Sequence, residues 1–290
     1  IDDANLQMGV SVSNTGSGDD NSWIPLDTIE IEVKIDNDQA DKLNNVIVEL
    51  GLFKEGSTSN IADEMIWISS GKDPEKVDIK DIKDGDNAKH TFVFRVDPED
   101  ISEGDYQLFV KAYPDGKEGT TCIDYSDDLS NTDLGDSAYF AEITVEGESS
   151  DEDMVIVDTY PFEPLLNAFC AQEITITPNV YNVGDTDFPD KVKVTLVNTE
   201  LGINLEDIMT GDFDAGEKGS VSFIFTVPKE TKEKVYTLSM RTYYDYDKDN
   251  DVYDVVSGDT FDILLDVEGN CLHATAETTS VSATLVSGGV

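Results

Sequence analysis

Residues 29–35 read Ile29-Glu30-Ile31-Glu32-Val33-Lys34-Ile35, with an aliphatic side chain at every second position and a charged one between. Successive side chains of a strand point to opposite faces, so this alternation is typical of a strand with one buried face. No stretch keeps a helical period over three turns, and the sequence therefore predicts an all-β protein. Segments with the same alternation include Val46, Val48 and Leu50; Phe92, Phe94 and Val96; Val192, Val194 and Leu196; Phe261, Ile263 and Leu265.

The two halves of the chain contain an internal repeat. Phe92–Val96 and Phe223–Val227 share one pattern at an offset of 131 residues, and each is preceded at seven residues by a turn glycine, Gly85 or Gly216. Short strands separated by turns every 8–12 residues or so are typical of immunoglobulin-like sandwiches. The repeat indicates two diverged copies of such a module.

The repeat predicts the domain boundaries. We expect one immunoglobulin-like β-sandwich domain at residues 1–147 and a second at 154–271, joined by a linker at 148–153. A β-prone tail follows at 272–290. The offset drifts along the chain because the first copy carries a longer insert around residues 61–80.

The composition is strongly acidic. Lys and Arg number 19 against 62 Asp and Glu, so the formal net charge is −43. Such a polyanion is repelled by nucleic acid and by anionic lipid, which excludes both partner classes. Because 39% of the residues are apolar, the chain can still bury a core.

Two observations indicate the compartment. The sequence begins at Ile1 without an initiator Met, from which we expect removal of a signal peptide and an extracellular, cell-surface location. No apolar run approaches the ~20 residues that span a bilayer, so we expect no direct membrane insertion.

A set of turn motifs in the second half carries a family resemblance. An Asn182-Val183-Gly184 turn precedes Asp212 to Pro228, which reads Asp-x-x-x-Gly and then Phe-x-Phe-x-Val-Pro. With these motifs residues 151–268 resemble the CARDB-type immunoglobulin-like repeats of archaeal surface proteins and S-layer proteins, and residues 1–147 do so more weakly. The resemblance implies a cell-surface structural role and carries no catalytic residues.

Two acidic loops are candidate calcium sites. Asp245, Asp247, Asp249 and Asp251 alternate along one loop, with Asp254 close behind, and Ca²⁺ prefers such oxygen ligands. The loop is not an EF-hand, and the alternative is a solvated hairpin turn. A second, weaker candidate is the loop with Asp124, Asp127 and Asp128. Cations would also relieve the self-repulsion of the whole chain.

Other chemistry has little support in the sequence. The two histidines, His90 and His273, are far apart, and no catalytic or nucleotide-binding motif appears. We therefore expect a protein that is not an enzyme. Tyr243, Tyr244, Tyr246 and Tyr253 surround the first acidic loop and suggest an alternative function as an adhesin or carbohydrate-binding module for cell-envelope glycans. Ordinary half-buried strand aromatics are the favoured explanation of these residues. An accessory protein of an extracellular hydrolase ranks third.

The three cysteines allow one disulfide within the chain. Cys170 and Cys271 flank the strands of the second domain, and we expect them to pair in an oxidising compartment. Cys122 would then be free or bonded between subunits, and a Cys122–Cys170 bridge is the less favoured alternative.

The tail at 272–290 is β-prone and nearly uncharged. Val281, Ala283 and Leu285 alternate in it as a candidate assembly strand. We interpret it either as a donor strand for the sheet of a neighbouring subunit or as the last strand of its own domain. From these features we expect a secreted, self-assembling subunit of an S-layer or filament, joined by β-strand addition and cation-bridged acidic surfaces.

Overall fold

The computed structural model describes residues 6–37, 41–68, 73–116, 138–160, 164–268 and 283–285. The chain divides into two compact units, Ile1–Glu146 and Gly147–Val290. Within the described ranges the secondary structure is β-strand apart from one 3₁₀ turn at Ala62–Glu64, and the all-β prediction is confirmed. No helix in those ranges is long and apolar enough to cross a bilayer.

The first unit is a sandwich of two sheets. One has the strand order β1-β3-β7-β5 and the other β2-β9-β8-β4-β6, and neighbours are antiparallel except for β2 and β9. The described strands of this unit are β1 (Leu6–Asn14), β2 (Ser22–Trp23), β3 (Thr28–Asn37), β4 (Val46–Lys54), β5 (Ile66–Trp67), β6 (Lys76–Asp78), β7 (Asn87–Arg95), β8 (Gly104–Pro114) and β9 (Ala138–Val145).

The alternating stretch at residues 29–35 forms most of β3. Its four aliphatic side chains are 0–1% exposed and face the core between the sheets, where each contributes roughly 1.5–3 kcal/mol of hydrophobic free energy. On the opposite face the Glu32 carboxylate pairs with the Lys89 Nζ at 2.7 Å. The pattern therefore positions β3 between β1 and β7 with one dry and one solvated face.

The second unit repeats this topology. Its large sheet has the order β11-β20-β18-β14-β15, with β19 also paired to β18, and two three-stranded sheets have the orders β10-β13-β16 and β17-β12-β21. The described strands are β10 (Val155–Asp158), β11 (Leu165–Phe169), β12 (Glu173–Ile176), β13 (Asn179–Asn182), β14 (Lys191–Asn198), β15 (Ile203–Thr210), β16 (Lys218–Ser220), β17 (Phe223–Thr226), β18 (Lys234–Asp247), β19 (Val252–Val256), β20 (Phe261–Glu268) and β21 (Ala283–Leu285).

Strands β12 and β13 together correspond to β3. Ile174 pairs with Phe225 as Ile29 pairs with Phe94, at offsets of 145 and 131 residues. Pro178 lies between β12 and β13, and since proline has no N–H to donate, it interrupts the ladder there. The two small sheets of the second unit are thus equivalent to the halves of one sheet in the first.

Equivalent positions in the two units also carry the same buried polar residue. Asn37 and Asn182 are both fully buried, and each Nδ2 donates at 3.0 Å to a carbonyl of the facing loop, Ile82 O in the first unit and Phe213 O in the second. These bonds hold the end of one strand against the loop that enters the next. The internal repeat seen in the sequence therefore extends to the hydrogen bonds of the core.

The repeated tyrosines have the same role in both units. Tyr106 Oη donates to Ser102 O at 2.5 Å, and Tyr236 Oη donates to Lys232 O at 2.9 Å. Each hydroxyl is thereby satisfied by a carbonyl four residues upstream, while its ring is buried. The pair fixes the loop that leads into β8 or β18.

The predicted insert lies in the first unit. The 3₁₀ turn and β5 follow β4, whereas the described chain between β14 and β16 contains β15 alone. Trp67 of β5 packs against Phe92 and Phe94, with ring centroids 6.0 and 5.3 Å apart. The insert therefore adds a strand and an aromatic side chain to the core of this unit.

Residues 148–153, predicted as a linker, are hydrogen-bonded within the second unit. Glu148 N donates to Val183 O at 2.7 Å, and Gly258 N donates to Glu152 O at 3.0 Å. The segment is thus part of the body of this unit.

The Asp27 carboxylate organises the loop before β3. It is 5% exposed and accepts four hydrogen bonds, from Asn14 Nδ2 (2.6 Å) and from the backbone N–H groups of Ser17 (2.8 Å), Gly18 (3.1 Å) and Ile24 (2.9 Å). A Cβ at Gly18 would lie 2.8 Å from this carboxylate and 2.2 Å from a backbone oxygen. The loop therefore wraps closely around one buried anion.

We expect Asp27→Asn to destabilise the first unit, because an amide group would oppose N–H donors that now share a charged acceptor. The free energy of unfolding should fall by about 2–3 kcal/mol, measured by thermal or urea unfolding. Glu30→Gln, which removes the same charge from an exposed site of β3, is the control. Equal melting temperatures for the two variants would contradict this role.

Candidate functional site

Strand β21 lies on the edge of β12. The two strands pair in parallel, with Ala283 opposite Ile174 and Leu285 opposite Ile176. Two of the three residues predicted to form the assembly strand therefore lie in a strand, and Val281 lies outside the described residues. The tail thus reaches a specific sheet edge of the second unit.

The first unit shows why this edge is available. There β1 pairs along the whole of β3, from Leu6 opposite Asn37 to Asn14 opposite Ile29. Among the described residues of the second unit, β10 pairs only with β13, and no described strand from the start of the unit lies on the equivalent edge of β12. Strand β21 occupies the place that the second half of β1 has in the first unit.

The edge of β12 has an alternating character. Ile174 and Ile176 are fully buried, whereas Glu173 is exposed. An edge strand presents unpaired N–H and C=O groups, and a strand added there satisfies them and covers the core. The β12 edge is therefore an acceptor, and β21 fills it.

The first predicted calcium loop forms the hairpin between β18 and β19. The Asp247 carboxylate accepts hydrogen bonds from Asp249 N (2.8 Å), Asn250 N (3.2 Å) and Asn250 Nδ2 (2.5 Å). These bonds, that of the Asn250 side chain foremost, lower the pKa of Asp247. This carboxylate closes the turn.

The other predicted ligands do not converge with it. Asp251 accepts a hydrogen bond from Tyr246 Oη at 2.6 Å, and Asp245 and Asp251 both have backbone φ in the left-handed region, at 54° and 57°. Among the described residues, which include Asp249 and Asp254, no group of three or more His, Cys, Asp or Glu side chains could hold a metal ion. Calcium binding remains a prediction, and Asp124, Asp127 and Asp128 lie outside the described residues.

Of the two cysteines predicted to pair, one lies among the described residues. Cys170 is disulfide-bonded, while Cys122 and Cys271 both lie outside the described residues. Phe169 pairs with Glu268 in the β11–β20 ladder, and Cys271 follows Glu268 by three residues in the sequence. The pairing of Cys170 with Cys271 stays a prediction.

The tyrosines around the hairpin divide into two groups. Tyr244 is fully buried, and its Oη donates to Asp151 O at 2.7 Å, so it is a core residue. Tyr243, Tyr246 and Tyr253 are half-buried on the outer face of the large sheet. The prediction of an aromatic surface thus applies to three of the four.

These three tyrosines line an open groove of about 480 Å³ together with Lys191, Lys193, Glu206 and Asp251. The Lys193 Nζ lies 4.5 Å from the ring centroid of Tyr243 and 4.9 Å from that of Tyr253. The Lys191 Nζ lies 4.2 Å from the ring centroid of Tyr246 and donates to its Oη at 3.2 Å, which raises the pKa of Lys191. Both lysines therefore carry their charge against aromatic rings.

His90 has a structural environment. Its ring contacts that of Phe92 at a centroid distance of 4.6 Å in β7, and burial lowers its pKa. His273 lies outside the described residues.

Comparisons with known proteins give little further information. No family model matches the sequence, and no curated protein matches it. Among solved structures the chain is similar to the crystal structure of red sea bream transglutaminase, with 12% identity and a TM-score of 0.29 over 91% of this chain. The chain spans 31% of that protein, and a likeness this weak carries no argument about activity.

We expect Asp247→Ala to loosen the β18–β19 hairpin, because two backbone N–H groups and the Asn250 amide lose their acceptor. Amide hydrogen exchange should become faster at Val252–Val256. Since the folded pKa is lowered, the stabilisation is present above the ordinary aspartate pKa and is lost as pH falls through the folded value. Exposed Asp185→Ala is the control, and unchanged exchange in Asp247→Ala would show that the turn does not depend on this carboxylate.

Proposed function

We propose that the chain is a secreted structural subunit of the cell surface that self-assembles into a layer or filament by β-strand addition. The observation that supports the proposal is the acceptor edge of β12, which receives a strand from the far end of the chain. A strand that is distant in sequence can equally come from a second copy, because the same backbone pairs satisfy the edge. The subunit has no catalytic role in this proposal.

The segment that carries the donor strand is long enough for exchange. Residues 269–282, 14 in number, separate the end of β20 from β21. Fully extended, they span at most roughly 46–50 Å. Such a connection allows β21 to reach either its own edge or that of a neighbour.

The charge distribution supports the same proposal. In residues 272–290 the ionisable side chains are His273 and Glu277 alone, while the whole chain carries a net charge of −43. Acidic bodies repel each other and avoid non-specific contact, whereas a nearly neutral segment approaches an acidic partner at little electrostatic cost. Calcium or another divalent cation bound between acidic surfaces would reduce the remaining repulsion in an assembly.

The family resemblance supports a cell-surface location for the proposed subunit. CARDB-type repeats belong to archaeal surface proteins, and residues 151–268 resemble them in their turn motifs. A cell-surface layer needs many copies of one stable module with a defined mode of contact. Two immunoglobulin-like units with one acceptor edge meet that need.

We expect replacement of Ala283 and Thr284 together by proline to abolish polymers. Two consecutive prolines remove the N–H donor to β12 whichever of the two residues supplies it. The variant should remain a folded monomer in analytical ultracentrifugation and circular dichroism, while Thr275→Pro with Ala276→Pro serves as the matched control. Polymers of the 283/284 variant in negative-stain images would exclude strand addition.

The cation contribution has a separate test. Addition of EDTA at low salt should dissolve the assembly, and Ca²⁺ should restore it better than NaCl of equal ionic strength. Light scattering measures both steps. Polymers that persist in EDTA would remove cation bridging from the proposal and leave strand addition unaffected.

A further inference from the structure

The outer edge of β1 is an open strand edge without charged side chains. β1 (Leu6–Asn14) pairs with β3 on one side, and no described strand lies on its other side. Its 9 residues include no Asp, Glu, Lys, Arg or His, although Asp and Glu make up 62 of the 290 residues of the chain. Sheet edges that face solvent are ordinarily protected by charges, by proline or by short strands. β1 has none of these protections.

The other sheet edges of the first unit are protected. β5 and β2 end their sheets with 2 residues each. β6 has 3 residues, of which Lys76 and Asp78 are charged. The edge of β1 therefore differs from the other described edges of this unit in both length and charge.

The hydrogen bonds around β1 show which of its backbone groups face outward. Thr15 N, directly after β1, donates to Thr28 O of β3 at 3.0 Å. Because alternate residues of an antiparallel pair bond to the partner strand, the odd-numbered residues of β1 bond to β3 and the even-numbered ones direct their N–H and C=O groups away from it. Asn14 N accordingly donates to Asp20 Oδ1 at 3.0 Å. In the interior of the strand the open groups are those of Met8, Val10 and Val12.

These open groups are self-complementary about Val10. When two copies of β1 run antiparallel with Val10 opposite Val10, Met8 of each copy lies opposite Val12 of the other. Each of these pairs can exchange two N–H···O=C bonds, so every open group of the three residues finds a partner. The side chains of Met8, Val10 and Val12 are half-buried against the core of their own unit, and the added strand covers the apolar surface that they still expose.

Repulsion between two acidic chains is weak at this edge. On the outer face of the pair, Gln7 lies opposite Ser13 of the other copy and Gly9 lies opposite Ser11, and all are uncharged. The charged side chains of β3, such as Glu32, lie one strand further from the two-fold axis. Since neighbouring strands are roughly 4.8 Å apart, the two copies of β3 lie about 14 Å apart, beyond the screening length of about 8 Å in physiological salt.

We propose that β1 pairs antiparallel with β1 of a second copy around a two-fold axis at Val10, which joins the two 4-stranded sheets into one. The contact is isologous, so it uses the same edge in both copies and closes at two. A second copy is the occupant because the edge matches itself in hydrogen bonds and in apolar side chains. The contact extends the proposed assembly, in which strand addition at β12 links copies head to tail, but it does not depend on that addition.

The contact is small. A few backbone pairs and apolar side chains bury less than the roughly 1,200–2,000 Å² of a stable interface, so we expect a dissociation constant of about 0.1–1 mM. Chains in dilute solution are then monomers, whereas chains held in a layer or filament meet at a much higher effective concentration. The pairing is thus reversible between free chains and persistent within an assembly.

Cysteine cross-linking tests the register, with Ala283→Pro and Thr284→Pro in every chain to block strand addition at β12. Gly9 lies opposite Ser11 of the other copy in a pair without backbone hydrogen bonds, where Cα atoms are about 4.5 Å apart and a disulfide fits. A mixture of Gly9→Cys and Ser11→Cys chains should therefore form cross-linked dimers under diamide at least about tenfold faster than either chain alone. A Cβ at Gly9 meets no atom within 4 Å, so the substitution is compatible with the fold.

Two controls accompany this test. A mixture of Gly9→Cys and Ser13→Cys chains, displaced by two residues, should cross-link as slowly as either chain alone, and parent chains give the background from the native cysteines. Equal rates in the two mixtures would overturn the pairing, as would a Gly9–Ser11 cross-link that forms only in chains without the two prolines. Polymers of the proline background would contradict strand addition at β12 alone, because the β1 contact closes at two copies.

A pair of variants at Val10 tests the backbone contact. Val10→Pro removes an N–H that faces away from β3, so the β1–β3 ladder stays while the central pair of the dimer is lost. Val10→Ala shortens the same side chain and keeps the N–H. In sedimentation equilibrium the dissociation constant of Val10→Pro should be at least about tenfold that of Val10→Ala, and circular dichroism checks that both variants fold. Equal dissociation constants, or an absence of dimers in concentrated parent protein, would overturn the proposal.

Discussion

The backbone of a buried sheet must have its N–H and C=O groups paired along every strand, and this requirement governs both units. In the first unit β1 pairs with β3 along its whole length and satisfies these groups. In the described part of the second unit β10 pairs only along β13, and Pro178 separates that part from β12. The edge of β12 therefore depends on β21. The assembly proposal follows from this one deficit, because the missing strand is also the one most distant in sequence.

The acidic surface and the neutral tail complement that requirement. A core of alternating aliphatic strands holds each unit together from inside, so the outer faces are free to carry charge. Repulsion between acidic faces then disfavours unspecific association of exposed strands, while the tail pairs through its backbone. Charge and hydrogen bonding thus act on different surfaces of the same unit. In the proposed assembly, specific contact comes from the edge, while the charged faces oppose other contacts.

The sequence was informative where local pattern decides structure. The alternation at residues 29–35 predicts a strand and its buried face because burial follows the two-residue period directly. The repeat of Tyr106 and Tyr236 indicates equivalent positions, and both tyrosines make the same hydrogen bond. By contrast, Asp27 has no special signal among 62 acidic residues, since its importance comes from donors that the loop brings around it.

Sites that depend on distant partners were not predictable. The alternating aspartates at 245–251 suit a metal loop or a turn equally well, because the sequence does not show which donors each carboxylate meets. Lys191 and Lys193 look like ordinary outward residues of a strand, and their contacts with the rings of Tyr246, Tyr243 and Tyr253 depend on strand pairings that the local pattern does not reveal.

The pairing of β12 with β21 also affects the order in which the two units can fold during synthesis. A ribosome makes β12 more than a hundred residues before β21, so the second unit stays one strand short until residues 283–285 have been made. All strands of the first unit precede β12 in the chain, and that unit can fold while synthesis continues. The acceptor edge and its donor are available together only after residues 283–285 have been made, and in the proposed assembly this separates folding of the first unit from pairing with a neighbour.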